Sequence, residues 1–433
     1  MRRIAVPALA VVPLLLAAPV AAAPTHGGAP RPTHADVPRP VRAVAETPSL
    51  FDDAAGGDAD ADDPAIWVHP TDRAGSLVVA TAKNGGLRVY DLGARERQAI
   101  ATPPAPGPGS EAGRFNNVDL VTGFRLGGRT ADLAVVTDRG RDQLRFYRID
   151  PATRLLTDVT APDVPFAFSR DQAEVDEQRT AYGLGTYVDP TGAAYAVVSR
   201  RSTAEVGVFR LVERAGRVGY LPVDRLVLPS TFTLPDGTTW SPCTDPGDGP
   251  QVEGTVVDPD SGVVHLAQEK VGLWRTRLVG GRFAEAPRSV ERVREYGVPA
   301  VFDPVEDDCV TDHSADPGFG GRIAQDVEGL TIYRTGPSTG TLVVSSQGDD
   351  TFYTYDRRTG RPTGRFAVVD GVVDGSQECD GAAVTSTPLP GFPGGLLVVH
   401  DGRNTPETPG EDGEARTDTD FKFLDAGFLR DAR

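Results

Sequence analysis

Two columns of chemically capable side chains appear when the chain is laid against itself. The first lies at the ends of similar apolar runs (VVATAK, AVVTDR, VVSRR, HLAQE, VVSSQ) and holds Lys83, Arg139, Arg201, Glu269 and Gln347. Arg200 and Arg201 are adjacent, and the internal alignment selects Arg201. The second column lies at the heads of neighbouring runs and holds Asp63, Asp119, Tyr182, Glu253, Glu328 and Asp380. Lysine and arginine gathered in one place suit an anionic, phosphorylated ligand, which they meet with charge-assisted hydrogen bonds. The carboxylates would repel that ligand unless a hard cation lay between them. Calcium takes about six to eight oxygen ligands of the kind that Asp, Glu and Gln supply. A ligand with several phosphates, bridged by calcium to protein carboxylates, reconciles the two columns.

Such columns converge only if the elements that carry them repeat in space. Six stretches share one pattern of apolar strand, turn, apolar strand, turn and third strand, starting at residues 62, 118, 182, 252, 327 and 379. Each alternates Val, Leu, Tyr and Phe with polar residues, and turn formers such as Asp-Pro-Thr-Gly separate the runs. Sustained helical periodicity is absent from all six. Repeats of this kind, stacked radially, bury both sheet faces and leave short edges. The expected fold is all-β, a six-bladed β-propeller over residues 48–433; a two-sheet sandwich is the alternative, and would not need such similar repeats. In a propeller, the cations of blades one to three face the carboxylates and amide of blades four to six.

Composition agrees with a soluble exported protein. Lys plus Arg number 44 against 61 Asp plus Glu, a formal charge of −17. That excess argues against nucleic acid and anionic membranes, which require a basic footprint. Residues 1–23 have the basic start, apolar core and small-residue end of a secretory leader, with cleavage expected near Ala22 or Ala23. Residues 24–47 read as a Pro-rich flexible linker, and 403–420 as an exposed polar loop. Export permits disulfides. The cysteines are Cys243, Cys309 and Cys379. Three single pairings are open; the loop-like surroundings of Cys243 and Cys309 favour that pair and leave Cys379 free and buried. The six histidines lack metal-ligand spacing, and there is no P-loop or dinucleotide fingerprint.

The residues also resemble a known family. DADADDPAIWVHP (58–70), FNNVD (115–119), AYG (181–183), VEG (252–254), AQE (267–269), DVEGLTIY (326–333), SSQG (345–348), CDG (379–381) and HDGRN (400–404) follow in order the motifs of the β-propeller phytases. The resemblance spans about residues 58–425. It implies a secreted, calcium-dependent 3-phytase-type phosphoric monoester hydrolase that acts on phytate, myo-inositol hexakisphosphate, as its calcium complex, and functions as a monomer. By motif, Lys83, Arg139 and Arg201 would hold phosphates, and Tyr182 would meet the phosphate or the attacking water. Asp62, Asp63, Asp119, Glu253, Glu269, Asp326, Glu328, Gln347 and Asp380 would surround active-site calcium ions, with Glu253 also in the catalytic set. Asp401, with Asn117 and Asn404, would belong to further calcium sites. The chain departs from the family pattern at Lys83-Asn84, where two lysines are usual, and at Gln377-Glu378-Cys379-Asp380, where a Ser/Thr-Asp-Thr-Asp segment is usual.

The implied reaction is direct attack by a metal-activated water, with the three cations stabilising the phosphoryl oxygens. Two rival readings are a calcium-stabilised propeller that only binds, and a lactonase-type propeller hydrolase. Neither needs Lys83, Arg139 and Arg201 together.

Overall fold

The computed structural model describes residues 37–53, 57–306, 308–407 and 418–431; the expected leader lies outside them. Six sheets form the blades of a β-propeller, and each repeat recognised in the sequence is one blade. Blade one contains Pro64–Trp67, Leu77–Thr81, Leu87–Asp91 and Glu96–Ile100. Blade two contains Phe115–Leu126, Arg129–Asp138, Gln143–Asp150 and Leu155–Asp158. Blade three contains Ala181–Val188, Ala194–Arg200, Glu205–Arg214 and Arg217–Val227. Blade four begins with Val252–Val257, Val263–Gln268 and Gly272–Val279, and blade five with Val327–Gly336, Thr339–Ser346, Thr351–Asp356 and Pro362–Val368. Blade six takes Ala382–Thr385, Leu396–Asp401 and Asp418–Asp425 from the C-terminal part of the chain.

Burial explains the strand character. The second strand of each blade lies between its sheet neighbours and is covered on both faces, so it reads as a nearly continuous apolar run rather than an alternating one. Leu77–Thr81 is buried throughout, and in Leu396–Asp401 every residue is buried. The first strands touch one another in a closed cycle from blade one round to blade six and back. They enclose an axial cavity of about 300 Å³ lined from all six blades.

Ring closure comes from the N-terminal side. Ala45–Glu46 and Leu50–Asp53 pair with Asp418–Asp425, and Arg39–Val41 adds in parallel to the edge of blade five. The linker expected over 24–47 is therefore corrected in its described part: Val41 and Ala43 are buried in the apolar cluster of blades five and six, and that burial holds the segment in place. The loop expected over 403–420 is corrected at its end, because Asp418, Thr419 and Asp420 are buried members of the last strand. Cys243 and Cys309 form a disulfide with Cα atoms 6.0 Å apart, and Cys379 is free and buried.

A small irregularity recurs at the head of the first strand. In blades two to five its pairing slips between Phe115 and Val118, Ala181 and Leu184, Val252 and Thr255, and Val327 and Leu330. Such bulges re-aim side chains. In blades three to five the second bulge residue is glycine, set against the carbonyl of the next blade. A Cβ on Gly183 would lie 1.9 Å from the Glu253 carbonyl oxygen, and one on Gly254 would lie 2.0 Å from that of Glu328. Gly254→Ala should therefore force blades four and five apart at a cost of about 3 kcal/mol, the upper range for overpacking. Urea unfolding of the variant checks this, and an unchanged midpoint would contradict the contact.

Candidate active site

One side chain from each blade stands at one end of the axial cavity, set there in blades two to five by the bulges. In blades three to six these are Tyr182, Glu253, Glu328 and Asp380, each followed by glycine. In blades one and two the equivalent residues are Asp62 and Asn116. The Asp62 carbonyl meets the Cβ position of Gly381, at 2.5 Å, as the Glu328 carbonyl meets that of Gly254. Second-strand hydroxyls staple the same ring: Thr81 Oγ1 donates to the Asn116 carbonyl at 2.5 Å, and Thr137 Oγ1 to the Tyr182 carbonyl at 2.5 Å.

Asp63 and Asp119 thus stand outside the column in which the sequence alignment places them. The Asp63 carboxylate accepts from the Val118 N–H at 3.0 Å, one step along the axial cavity. Asp119 accepts from the Leu120 N–H at 2.7 Å and from Thr186 at 2.7 and 2.9 Å, so both of its oxygens are engaged. Asp401 also lies elsewhere. It accepts from the Gln377 N–H at 2.9 Å and meets Lys422 Nζ at 3.2 Å. Lys422 is wholly buried and also contacts Glu46, Asp374 and Asp420. Asn404 joins that cluster, 3.1 Å from Lys422 Nζ, while Asn117 accepts from Asn116 Nδ2 at 2.9 Å.

The other expected residues do converge. Carboxylate oxygens of Glu253, Glu269 and Glu328 lie within 4.8 Å of one another, and all three residues are buried. Tyr182 Oη donates to Glu253 at 2.7 Å. Gln347 Nε2 donates to Asp380 at 2.7 Å. Lys83 lies 2.5 Å from Asp60, 3.5 Å from Asp380 and 3.7 Å from Asp62. Its backbone has φ +41°, an unusual left-handed conformation for a lysine. Arg139 donates to the side-chain oxygen Oδ1 of Asn116 at 3.1 Å and lies over the Tyr182 ring. Arg201 makes a 3.3 Å hydrogen bond to the Gln178 carbonyl and lines a side cavity of about 130 Å³ with Glu269 and Gln251. Arg200 bonds the Arg179 carbonyl and Glu205. Arg201 thus faces the side cavity that Glu269 lines, and Arg200 faces away from it.

Three residues escaped the sequence reading. Asp60 lies in the acidic run already singled out, and only its pairing with Lys83 marks it. Asn116 belongs to FNNVD, but blades one and two lack the glycine that marks the ring position elsewhere. Gln251 comes from a loop with no pattern at all. His69 and His400 are structural, as expected for buried histidines with backbone partners: His69 Nδ1 accepts from the Asp72 N–H at 2.9 Å, and His400 Nδ1 from the Asp380 N–H at 3.0 Å.

Crowding shapes the electrostatics. Burial pushes Glu269 and Glu328 well above the usual carboxylate range, and the neighbouring acids push in the same direction. Burial likewise raises Asp62, against the pull of Lys83. Glu253 rises through burial and then through Asp380. Burial also raises Asp326, against Lys270. For Lys83, burial works against the ammonium, but Asp380, Asp62 and Asp60 outweigh it and its pKa rises. Arg201 is lowered, first by burial and then by Arg139. Among the described residues, Glu269 Oε1, Glu328 Oε2, Asp62 Oδ2 and Asp326 Oδ1 are buried without hydrogen-bond partners. Orphaned buried carboxylate oxygens are costly. An oxygen-only donor set with unspent acceptors fits a hard cation.

The chain matches the family model Phytase over residues 9–220 and 301–425. It is 30% identical over 359 residues to a 3-phytase of Bacillus subtilis (strain 168), covering 82% of this chain and 77% of the relative. Two solved structures resemble it loosely. One is a protein from Lactobacillus plantarum, 14% identical with a TM-score of 0.40 over 72% of each chain. The other is a β-propeller domain from Myceliophteria thermophila, 10% identical with a TM-score of 0.39 over 84% of each chain. Likenesses that loose bear no weight here.

The raised carboxyls make a pH prediction. Folding favours their protonated forms, so without a cation the contribution of these acids to stability is full below the unfolded carboxyl pKa of about 4 and is lost as pH rises through their raised values. The gain in unfolding temperature that calcium gives over chelator should therefore grow from about pH 4 towards neutral. A calcium-independent profile would contradict a cation-binding cluster.

Proposed function

The chain belongs to the phytase family, and from this we propose that it hydrolyses phosphate esters of phytate with calcium held at the ring end of the axial cavity. The observation that carries the reading is the meeting of Lys83, Arg139 and Arg201 with the buried carboxylates Glu253, Glu269 and Glu328. A site for a polyanion alone would have no use for that acid cluster, and a site for a cation alone would have no use for the three bases.

Asp62, Glu253, Glu269, Glu328 and Asp380 would hold calcium, with Gln347 and Asp326 at the margin. Bound there, calcium would offset the charge of the phosphates and lower the pKa of a coordinated water. The chain's own residues do the positioning. Lys83, hydrogen-bonded to Asp60 and Asp380 and paired with Asp62, presents an ammonium whose third donor can meet a phosphoryl oxygen. Arg139 offers a planar fork and is oriented by Asn116, whose amide also donates to Glu253 at 2.8 Å. Asn116 therefore couples a phosphate-binding cation to an acid of the cluster. Tyr182 holds the other Glu253 oxygen, so that carboxylate has little rotational freedom. Developing charge on the equatorial oxygens meets the three cations without reorganisation. The activity named for the Bacillus relative extends the proposal to a 3-phytase-type reaction. Export through the leader agrees with the Cys243–Cys309 disulfide, and we take the working form to be a monomer.

Purified mature chain should release phosphate from phytate with calcium and lose that activity in chelator. Lys83→Ala and Glu253→Ala should each lower turnover at least about 100-fold, as removal of one transition-state donor does, while calcium still raises the unfolding temperature. Activity that survives full chelation, or wild-type turnover in either variant, overturns the reading. Calcium binding without any phosphate release would point instead to a propeller that only binds.

A further inference from the structure

We propose that Gln251 is a positioning residue that fixes Tyr182, Arg201 and Glu269 relative to one another, held in place by a loop that the Cys243–Cys309 bridge anchors. The proposal rests on the functional reading above and concerns how the site is kept in register.

Gln251 uses nearly all of its polar capacity on residues of the site. Its side-chain oxygen accepts from the Ser202 N–H at 2.8 Å, the peptide directly after Arg201. Its amide nitrogen donates to Glu269 Oε2 at 3.1 Å and lies 3.5 Å from Tyr182 Oη. Its backbone carbonyl accepts from the Glu269 N–H at 3.2 Å. One side chain therefore spans blades three and four and touches an acid of the cluster, the tyrosine that orients Glu253, and the peptide that aims Arg201. An amide suits this place because it accepts on one side and donates on the other, which neither a carboxylate nor an apolar residue does.

The loop that delivers Gln251 is long and has little regular structure: one two-stranded hairpin, Phe232–Thr233 with Thr239–Trp240. It is pinned at several points. Gln268 Nε2 donates to the Pro229 and Pro250 carbonyls at 3.2 and 2.9 Å, at the two ends of the loop. Arg179 bonds the Gly247 carbonyl at 2.8 Å, and the Gly249 N–H donates to the Ser202 carbonyl at 2.9 Å. Trp240 packs on Tyr296 with ring centroids 4.7 Å apart and donates to the Val298 carbonyl at 3.1 Å. The disulfide then ties Cys243 to the hairpin of Ala300–Asp303 and Asp308–Thr311 in the next inter-blade loop. That second loop runs on to Asp326, whose neighbour Val327 donates its N–H to the Glu269 carbonyl at 3.0 Å, on the opposite side of the Glu269 backbone from Gln251. Both polar flanks of the acids are thus reached by loops that share one covalent link.

The test compares wild type with Gln251→Ala and Gln251→Leu, the second keeping most of the volume. Two readouts are needed: turnover on phytate, and calcium binding measured calorimetrically without substrate. Loss of an outer-shell partner typically costs about 10–100-fold in metal affinity or activity. Both variants should show a loss of that size in turnover and weaker calcium binding, with an unchanged unfolding temperature in excess calcium. Mild reduction of the disulfide should lower wild-type turnover but lower that of Gln251→Ala no further. Wild-type turnover and calcium binding in Gln251→Leu would show that shape alone suffices and overturn the proposal. Equal loss on reduction in wild type and Gln251→Ala would overturn the link to the disulfide. If wild type releases no phosphate from phytate, the functional reading fails instead, and the calcium isotherms still decide the role of Gln251.

Discussion

The contact between consecutive first strands, glycine against carbonyl, is what the rest of the molecule depends on. Gly183 meets Glu253, Gly254 meets Glu328, Gly329 meets Asp380, and Gly381 meets Asp62. Each contact is closer than any Cβ would allow, so the blades approach at the ring end as nearly as backbones can. The Gly329 N–H even donates to the Asp380 carbonyl at 2.7 Å. Close approach determines which side chains share the axial end. It also explains why carboxylates from blades four and five come within 4.8 Å of one another despite their mutual repulsion. The fold pulls the acids together, and the cost of crowding them falls on whatever neutralises them.

That cost is met differently around the ring. On the seam between blades one and six a lysine is built in: the Lys83 ammonium is shared by Asp60, Asp62 and Asp380 and offsets part of their charge. Between blades three and five no cation of the chain is in ion-pair contact with Glu253, Glu269 or Glu328 among the described residues, and oxygens of Glu269 and Glu328 lack any partner. There burial and mutual repulsion push the acids towards their protonated forms, and the unspent oxygens are of the kind a hard cation takes. A second acidic cluster shows the contrasting solution. Around Lys422, four carboxylates share one buried ammonium, and the result is a clamp rather than a reactive site.

Much of this was legible in the sequence, and the misses share a cause. The six repeats, the strand-terminal cations and the acids of blades four to six follow from local patterns that survive in each blade. Register was read correctly wherever glycine follows the ring residue. It slipped in blades one and two, where Asp63 and Asn117 occupy the glycine position and nothing local marks the bulge, so Asp63 and Asp119 were placed in the column in preference to Asp62 and Asn116. The pairing of Asp401 with Lys422 is not legible for a different reason: Lys422, twenty-one positions later in the chain, reaches it only through strand pairing. Gln251 was invisible because its partners, Ser202, Glu269 and Tyr182, lie on other strands and a loop glutamine has no periodicity.

The seam in blade six has a consequence for biogenesis. Its strand Asp418–Asp425 pairs with both Ala45–Glu46 and Leu50–Asp53, so the ring cannot shut until that strand has been made. Lys83 lies across that seam, joining Asp62 of the first blade to Asp380 of the last. The reactive geometry is therefore one of the final things to form. A chain stopped before Asp380 would carry most of the blades and still lack the pairing of Lys83 with Asp380, so the axial cluster is assembled only by the completion of its own architecture.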